Sequence, residues 1–327
     1  MEIFIPALLI IIGFILLVKG ADFLVDGSSD IAKRFHIPEI VIGLTIVSIG
    51  TSLPELLVSI NSATKGYSDM ALGNVIGSNI CNFLLILGVS ASIRRLKLKK
   101  ETRYIEVPAC IVYTIMFWGM CSTQNMITRP EAIVLLVLFN IFIGYTVAMG
   151  IKGEKYDEEP TLDEDDDAEK AAKAKMPSAV WKNIFQIIIG IFALKYGGDF
   201  VVNNSIIIAE HFHISEKIIS LTIIAIGTSL PELVTSIVAA LKGNSDISVG
   251  NIIGSNIFNM TSIIGITALI KPITYNVEYN FDMSILFAAS VLLFLFQYIR
   301  PKNMISKRNG VMYLTGYIAY MISMFVG

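Results

Sequence analysis

Two glutamates, Glu55 and Glu232, each stand directly behind a proline in a repeated heptapeptide, IGTSLPE, at Ile49–Glu55 and Ile226–Glu232. Hydroxyls flank both: Thr51 and Ser52 in the first copy, Thr228 and Ser229 in the second. The surrounding stretches are otherwise oily. A carboxylate in such a segment costs several kcal/mol unless it is paired, and neither copy has a basic residue close by. A cation is the natural missing partner. Pro54 and Pro231 lack a backbone N–H, and their rings would clash with the carbonyls of Gly50 and Gly227 four residues earlier. Each helix is therefore expected to break there, freeing carbonyls that must face protein, water or an ion. Two carboxylates, the hydroxyls and freed carbonyls form an all-oxygen set. Hard cations such as Ca2+ take about six to eight oxygens of this sort. Softer transition metals would want His or Cys, and neither heptapeptide contains one.

The segment after each heptapeptide carries a second repeated motif, GNVIGSNICN and GNIIGSNIFN. Ser78 and Asn82 are four residues apart and share a helix face, as do Ser255 and Asn259. Their recurrence favours a role in the cation site over plain helix-to-helix bonding. Asn74, Asn79, Asn251 and Asn256 point off that face and read as helix-packing residues. Gly73 with Gly77, and Gly250 with Gly254, form small-xxx-small pairs that allow close helix approach.

Two buried carboxylates could instead share a proton and activate water, as in an intramembrane hydrolase. No HExxH, GxSxG or GxGD pattern supports that chemistry, and the hydroxyls and amides suit ion coordination better. A passive channel fits the oxygen ligands but not a duplicated cage.

The elements that must position these residues are membrane helices. Of 327 residues 54% are hydrophobic and only 16% charged, with a mean hydropathy of +0.68. Soluble domains average about 25% charged, so the reading is an all-α polytopic membrane protein. Ten transmembrane helices are expected at about 3–32, 38–65, 70–93, 104–122, 130–150, 180–209, 215–242, 247–270, 281–299 and 309–326. The first and sixth are long enough to require tilting. The amino-terminal segment lacks a basic n-region and a cleavage site, so it reads as a retained span. Cys81, Cys110 and Cys121 read as small buried hydrophobes, without disulfide or metal spacing. Lys19 with Asp22, and Lys195 with Asp199, read as local pairs, and His36, His211 and His213 as loop residues.

Charge sets the orientation. Nineteen Lys and Arg residues fall in the loops on one side and four on the other. Basic loops stay inside, so both termini are expected outside and the central loop in the cytoplasm of a cell-membrane protein. That loop, about 151–179, is acidic and reads as a solvated linker, because DEDDD lacks the alternating ligands, glycine and closing glutamate of an EF-hand.

The linker separates two copies of one unit. Adding 177 to a number in the first half gives its partner: Glu55 to Glu232, Asn82 to Asn259. About 29 of 49 positions are identical between 43–91 and 220–268. Each half, 1–150 and 180–327, holds five spans, so the second enters the membrane upside down. The expected fold is two inverted five-helix repeats, an arrangement typical of transporters that bind substrate at the repeat interface.

GTSLPE with GSNICN, repeated as GTSLPE with GSNIFN, resembles the α-repeats of the Ca2+/cation antiporter superfamily, in its prokaryotic Na+/Ca2+ exchanger branch. The resemblance spans essentially the whole chain. It implies a transporter and not an enzyme, with no cofactor. Ca2+ would leave in exchange for Na+ by alternating access, the long first and sixth spans sliding against a compact core. It implies that Glu55 and Glu232 are central carboxylates shared by Ca2+ and Na+. Thr51, Ser52, Ser78 and the Ser48 carbonyl would form one half of the Na+ ligands. Thr228, Ser229, Ser255 and the Ala225 carbonyl would form the other, with Asn82 and Asn259 completing the centre. Some relatives, including K+-dependent exchangers, carry aspartate where this chain has Asn259, so K+ co-transport is not expected. The site charge of −2 fits one Ca2+, and three Na+ would leave +1. Two protons would also satisfy the count. The H+/Ca2+ branch usually has Asn and Ala at Thr51 and Ser52, and these hydroxyls favour Na+. The partners implied are Ca2+, Na+ or alternatively H+, and the lipid bilayer, with no nucleic acid and no obligate protein partner.

Overall fold

The computed structural model describes residues 3–151, 179–212, 225–299 and 301–326. The acidic linker, except for its end residues 151 and 179, lies outside the described residues. So do His213 and the first part of the span expected at 215–242.

Apolar runs become helices because only hydrogen-bonded backbone survives in lipid. In chain order these are α1 (Phe4–Phe35), α2 (Glu39–Thr51), α3 (Leu53–Thr64), α4 (Met70–Ile93), α5 (Thr102–Thr123) and α6 (Arg129–Ile151). The second half gives α7 (Val180–His211), a short α8 (Ala225–Gly227), α9 (Leu230–Leu241), α10 (Ser245–Ile270), α11 (Tyr279–Phe296) and α12 (Lys307–Val326). The protein is a helical, multi-pass membrane protein. Among the described residues seven helices are long and apolar enough to cross a membrane, or eight if the bent pair α2–α3 is one span. The remaining two expected spans correspond to α8–α9, described only from residue 225, and to α12.

α1 and α7 have 32 residues each, roughly 48 Å at 1.5 Å per residue, well beyond a hydrocarbon core of about 30 Å. They pack antiparallel on each other, with backbones nearly touching. A Cβ added at Gly20 would lie 2.9 Å from the Gly190 carbonyl oxygen, and one at Gly13 would lie 2.8 Å from that of Gly197. Glycine is required where two backbones approach this closely. A second apolar core packs Leu17, Leu24 and Leu194 of the pair against Ile42 and Val47 of α2, Val238 and Ala239 of α9 and Ile247 of α10. A larger core joins α4, α5, α6, α10, α11 and α12.

Two short antiparallel ladders tie the repeats together. β1 (Leu96–Lys97) pairs with β4 (Met304–Ile305), and β2 (Met126–Ile127) pairs with β3 (Ile273–Thr274). One further backbone bond extends each ladder, Leu98 N–H to Asn303 O at 2.9 Å and Tyr275 N–H to Asn125 O at 2.8 Å.

Several sequence expectations meet details they did not contain. Lys19–Asp22 and Lys195–Asp199 do pair, at 3.7 and 2.8 Å. Asp22 has a second partner, Lys242 at 3.1 Å, which also reaches Asp26 at 2.7 Å. More than 200 residues of chain hid that contact. His211 is the last residue of α7, not a loop residue, because the helix runs two residues past the expected end. His36 ends α1 in the left-handed conformation, with φ 53°. All three cysteines are buried free thiols.

Candidate cation site

The span expected at 38–65 breaks at the predicted place. α2 and α3 meet at 45°, with Ser52 between them at φ −86°, ψ 6°. Ser229 precedes α9 with nearly the same angles, −88° and 7°. This sparsely populated bridge conformation turns the chain without a glycine. Pro54 and Pro231 fall in the first turn of α3 and α9, where a missing N–H leaves nothing unsatisfied. Glu55 and Glu232 follow in the same turn, near the partially positive helix start.

Both glutamates are 1% exposed. No ion pair to a basic residue reaches either of them among the described residues. Each instead receives a hydroxyl from the opposite repeat. Ser52 Oγ donates to Glu232 Oε1 at 2.7 Å, and Ser229 Oγ donates to Glu55 Oε1 at 3.4 Å. The two heptapeptides, 177 residues apart, therefore meet.

The other carboxylate oxygens are left bare. Glu55 Oε2 and Glu232 Oε2 have no hydrogen-bond partner, nor do Ser78 Oγ, Thr228 Oγ1, Asn82 Oδ1 and Asn259 Oδ1. Six buried oxygens without donors are costly for any fold, since each has given up water for nothing. All six belong to the residues singled out by the two motifs. A cation would satisfy them, and their chemistry, two anionic and four neutral oxygens, suits a hard one.

The remaining predicted residues sit in the same hydrogen-bonded region. The Ser48 carbonyl accepts from Ser52 N–H at 3.1 Å and from Ser255 Oγ at 3.4 Å, and lies 3.3 Å from Thr51 Oγ1, whose single proton has a closer acceptor in Asn251 Oδ1 at 3.0 Å. Ala225 begins α8 at the inverse-related position.

Two local features escaped the sequence reading. α4 widens into π-turns over Cys81–Ile86, and α10 does so over Asn259–Ile263, so the wide turns begin beside Asn82 and at Asn259. Such turns concentrate at functional sites, and residue patterning does not announce them. The off-face asparagines are also more than packing. Asn74 Nδ2 donates to the Glu55 carbonyl at 3.3 Å and to Ser59 Oγ at 3.1 Å. Asn251 Nδ2 makes the inverse-related bonds, to the Glu232 carbonyl at 3.4 Å and Ser236 Oγ at 2.9 Å. Their exact repetition at an offset of 177 was the available signal.

Comparison with known proteins bears on this arrangement. The model of a family described as sodium/calcium exchanger protein matches residues 5–148 and 182–326, omitting the linker. The inner membrane protein YrbG of Escherichia coli is 35% identical over 319 residues, covering 97% of this chain and 96% of its own. The sodium/calcium exchanger MaX1 of Methanosarcina acetivorans is 30% identical over 346 residues, covering 97% and 98%. A solved structure of the sodium-calcium exchanger NCX_Mj, soaked with Na+ and Ca2+, superposes with a TM-score of 0.82 at 31% identity, covering 98% of each chain.

Proposed function

Because this chain belongs to the sodium/calcium exchanger family of antiporters, we propose that it exchanges one Ca2+ for three Na+ by alternating access, without K+. The six partnerless buried oxygens of Glu55, Glu232, Ser78, Thr228, Asn82 and Asn259 carry this reading. Glu55 and Glu232 supply a site charge of −2. One Ca2+ neutralises it, and three Na+ leave +1, so each exchange cycle moves charge. Thr51, Ser52, Thr228 and Ser229 supply the hydroxyls, with Ser78, Ser255, Asn82, Asn259 and the carbonyls of Ser48 and Ala225 completing the ligand set. Hydroxyl oxygens serve Na+ and are unnecessary to a proton, which favours Na+ as the counter-ion. Asn259, an amide where a further carboxylate would add charge, supports K+ independence. The two halves, 1–150 and 180–327, act as inverted units joined by a cytoplasmic linker, with both termini outside the cell membrane. The lopsided distribution of basic loop residues supports that orientation.

The test is Ca2+ uptake into proteoliposomes driven by an outward Na+ gradient, with pH clamped and voltage shunted. Uptake that needs Na+ inside and no K+ is the expected result. Uptake driven only by a proton gradient would overturn Na+ coupling in favour of H+/Ca2+ exchange. Removing the voltage shunt tests the stoichiometry: an inside-negative potential should slow uptake, since net positive charge would leave with the Na+.

A further inference from the structure

The two half-sites are related by inversion, yet their hydrogen bonds are not equivalent. Thr51 Oγ1 donates to Asn251 Oδ1 at 3.0 Å. The inverse-related pair is Thr228 with Asn74, and Thr228 Oγ1 has no partner. Asn259 Nδ2 donates to Asn79 Oδ1 at 3.0 Å. Its counterpart would be Asn82 with Asn256, and Asn256 Oδ1 has no partner. Ser255 Oγ donates to the Ser48 carbonyl at 3.4 Å, whereas Ser78 Oγ, which would meet Ala225, bonds to nothing. Ser52 reaches Glu232 at 2.7 Å, but Ser229 reaches Glu55 only at 3.4 Å.

Two of the differences, at Thr51–Asn251 and Ser48–Ser255, join the break between α2 and α3 to α10, and their counterparts between the break before α9 and α4 are not made. Thr51 and Asn259 are held by second-row asparagines, whereas Thr228 and Asn82 are not held by Asn74 and Asn256.

Those asparagines face two ways. Asn251 uses its NH2 to grip the Glu232 carbonyl and Ser236, and its oxygen to take the Thr51 proton. A hydroxyl whose proton is so directed keeps its lone pairs for a cation. Asn79 likewise occupies the Asn259 amide nitrogen and leaves Asn259 Oδ1 unpartnered. Asn74 has the same grip on the Glu55 carbonyl but an unused task at Thr228.

We propose that Asn251 and Asn79 are positioning residues that present the Thr51 hydroxyl and the Asn259 carbonyl oxygen to the cation, and that Asn74 and Asn256 take the same task for Thr228 and Asn82 when the opposite half docks. Thr64 and Met70 mark one face of the protein, and Lys242 and Ser245 the other. A Cβ added at Gly77 in the first half of α4 would meet nothing within 4 Å, whereas one at its counterpart Gly254 would lie 2.6 Å from Ser48 Oγ, so the less filled side of the site is the one that runs along α4 toward the Thr64 face. In this state Asn251 governs cation binding from that face. After the swap Asn74 governs it from the Lys242 face.

This inference rests on the proposed exchange site, and double-mutant cycles separate the two. Half-saturating Na+ and Ca2+ are measured at each face of oriented proteoliposomes for Asn251→Ala, Thr51→Val and both together, and for Asn74→Ala, Thr228→Val and both together. Asn251→Ala should raise half-saturation at the Thr64 face about tenfold, with little further rise on adding Thr51→Val, because contacting partners couple. The second cycle should show the same non-additivity at the Lys242 face. Additive effects, a loss of maximal rate with unaltered half-saturation, or equal effects at both faces would overturn the positioning role. If Asn251→Ala fails to elute as a folded protein, Ser236→Ala loosens the same amide, and a face-specific rise in half-saturation is again required. Wild-type protein runs alongside. Absent wild-type exchange overturns the site reading itself, whereas normal wild-type exchange with additive cycles overturns only this inference.

Discussion

Ser52 Oγ donates to Glu232 Oε1 across the repeat interface at 2.7 Å, while its inverse-related partner Ser229 reaches Glu55 at 3.4 Å. One contact has the short geometry of a charge-assisted bond and the other is at the edge of bonding distance. Sequence identity between the two heptapeptides therefore coexists with inequality in space.

The inequality predicts unequal substitutions. Ser52→Ala removes a hydrogen bond to a charged group, worth about 1.5–3 kcal/mol, so apparent cation affinity should fall roughly ten- to hundredfold. Ser229→Ala should cost several-fold less when binding is measured in the state described here. Isothermal titration with Ca2+ in detergent checks both, and equal losses would contradict the asymmetry.

Glu55→Gln and Glu232→Gln should each abolish exchange while leaving protein in the membrane. Removing one of the two buried anions of the proposed site should cost on the order of 3 kcal/mol or more, beyond hundredfold in affinity. Ca2+ uptake by purified variants is the measurement, and wild-type uptake in either would falsify the shared carboxylate site.

Asn259→Asp would take the site charge from −2 to −3. Ca2+ exchange should then become more sensitive to pH, falling toward acid as the added carboxylate takes up a proton that an amide cannot. An unchanged pH profile of uptake would exclude position 259 from the site.

Lys242 joins the end of α9 to Asp22 and Asp26 of α1, at 3.1 and 2.7 Å. Partly exposed pairs contribute about 0.2–1 kcal/mol each, so Lys242→Met should shift the balance between states by several-fold and leave the fold intact. Accessibility of single cysteines placed near each face, read with a membrane-impermeant reagent, follows that shift.

Gly20→Val should be far more damaging than its remoteness from the glutamates suggests. Its first side-chain atom alone would sit 2.9 Å from the Gly190 carbonyl oxygen. Overpacking of this kind costs about 1–3 kcal/mol, and separation of α1 from α7 should appear as a lower melting temperature in detergent.

The sequence reading reached the membrane fold, the inverted repeat and the helix breaks because each follows from short-range or periodic information. Pro54 dictates a break through its own ring, and Glu55 announces a site through its own charge. Residue spacing could not reveal contacts created by superposing two inverted halves. Lys242 with Asp26, and Thr51 with Asn251, are about 200 residues apart. The π-turns beginning at Cys81 and Asn259 contain no proline or glycine that would forbid a regular turn, so nothing in the residue pattern marks them. The second-row asparagines repeat as faithfully as the candidate ligands do, and repetition alone does not separate residues lining the candidate site from those bonded behind it.

The ladders at Leu96–Lys97 and Met126–Ile127 lie at the two ends of α5, and their partners at Ile273–Thr274 and Met304–Ile305 lie at the two ends of α11. Strand, helix, strand and return thus close a ring, laced at both ends by hydrogen bonds between the halves. A ring of this kind resists hinging like a clamshell, because spreading either end would tear a ladder. On the alternating-access reading proposed above, this ring would be the stator and the glycine-meshed rods α1 and α7 the part that travels, so that exchanging the open face would be a matter of translation along the ring and not of the halves swinging apart.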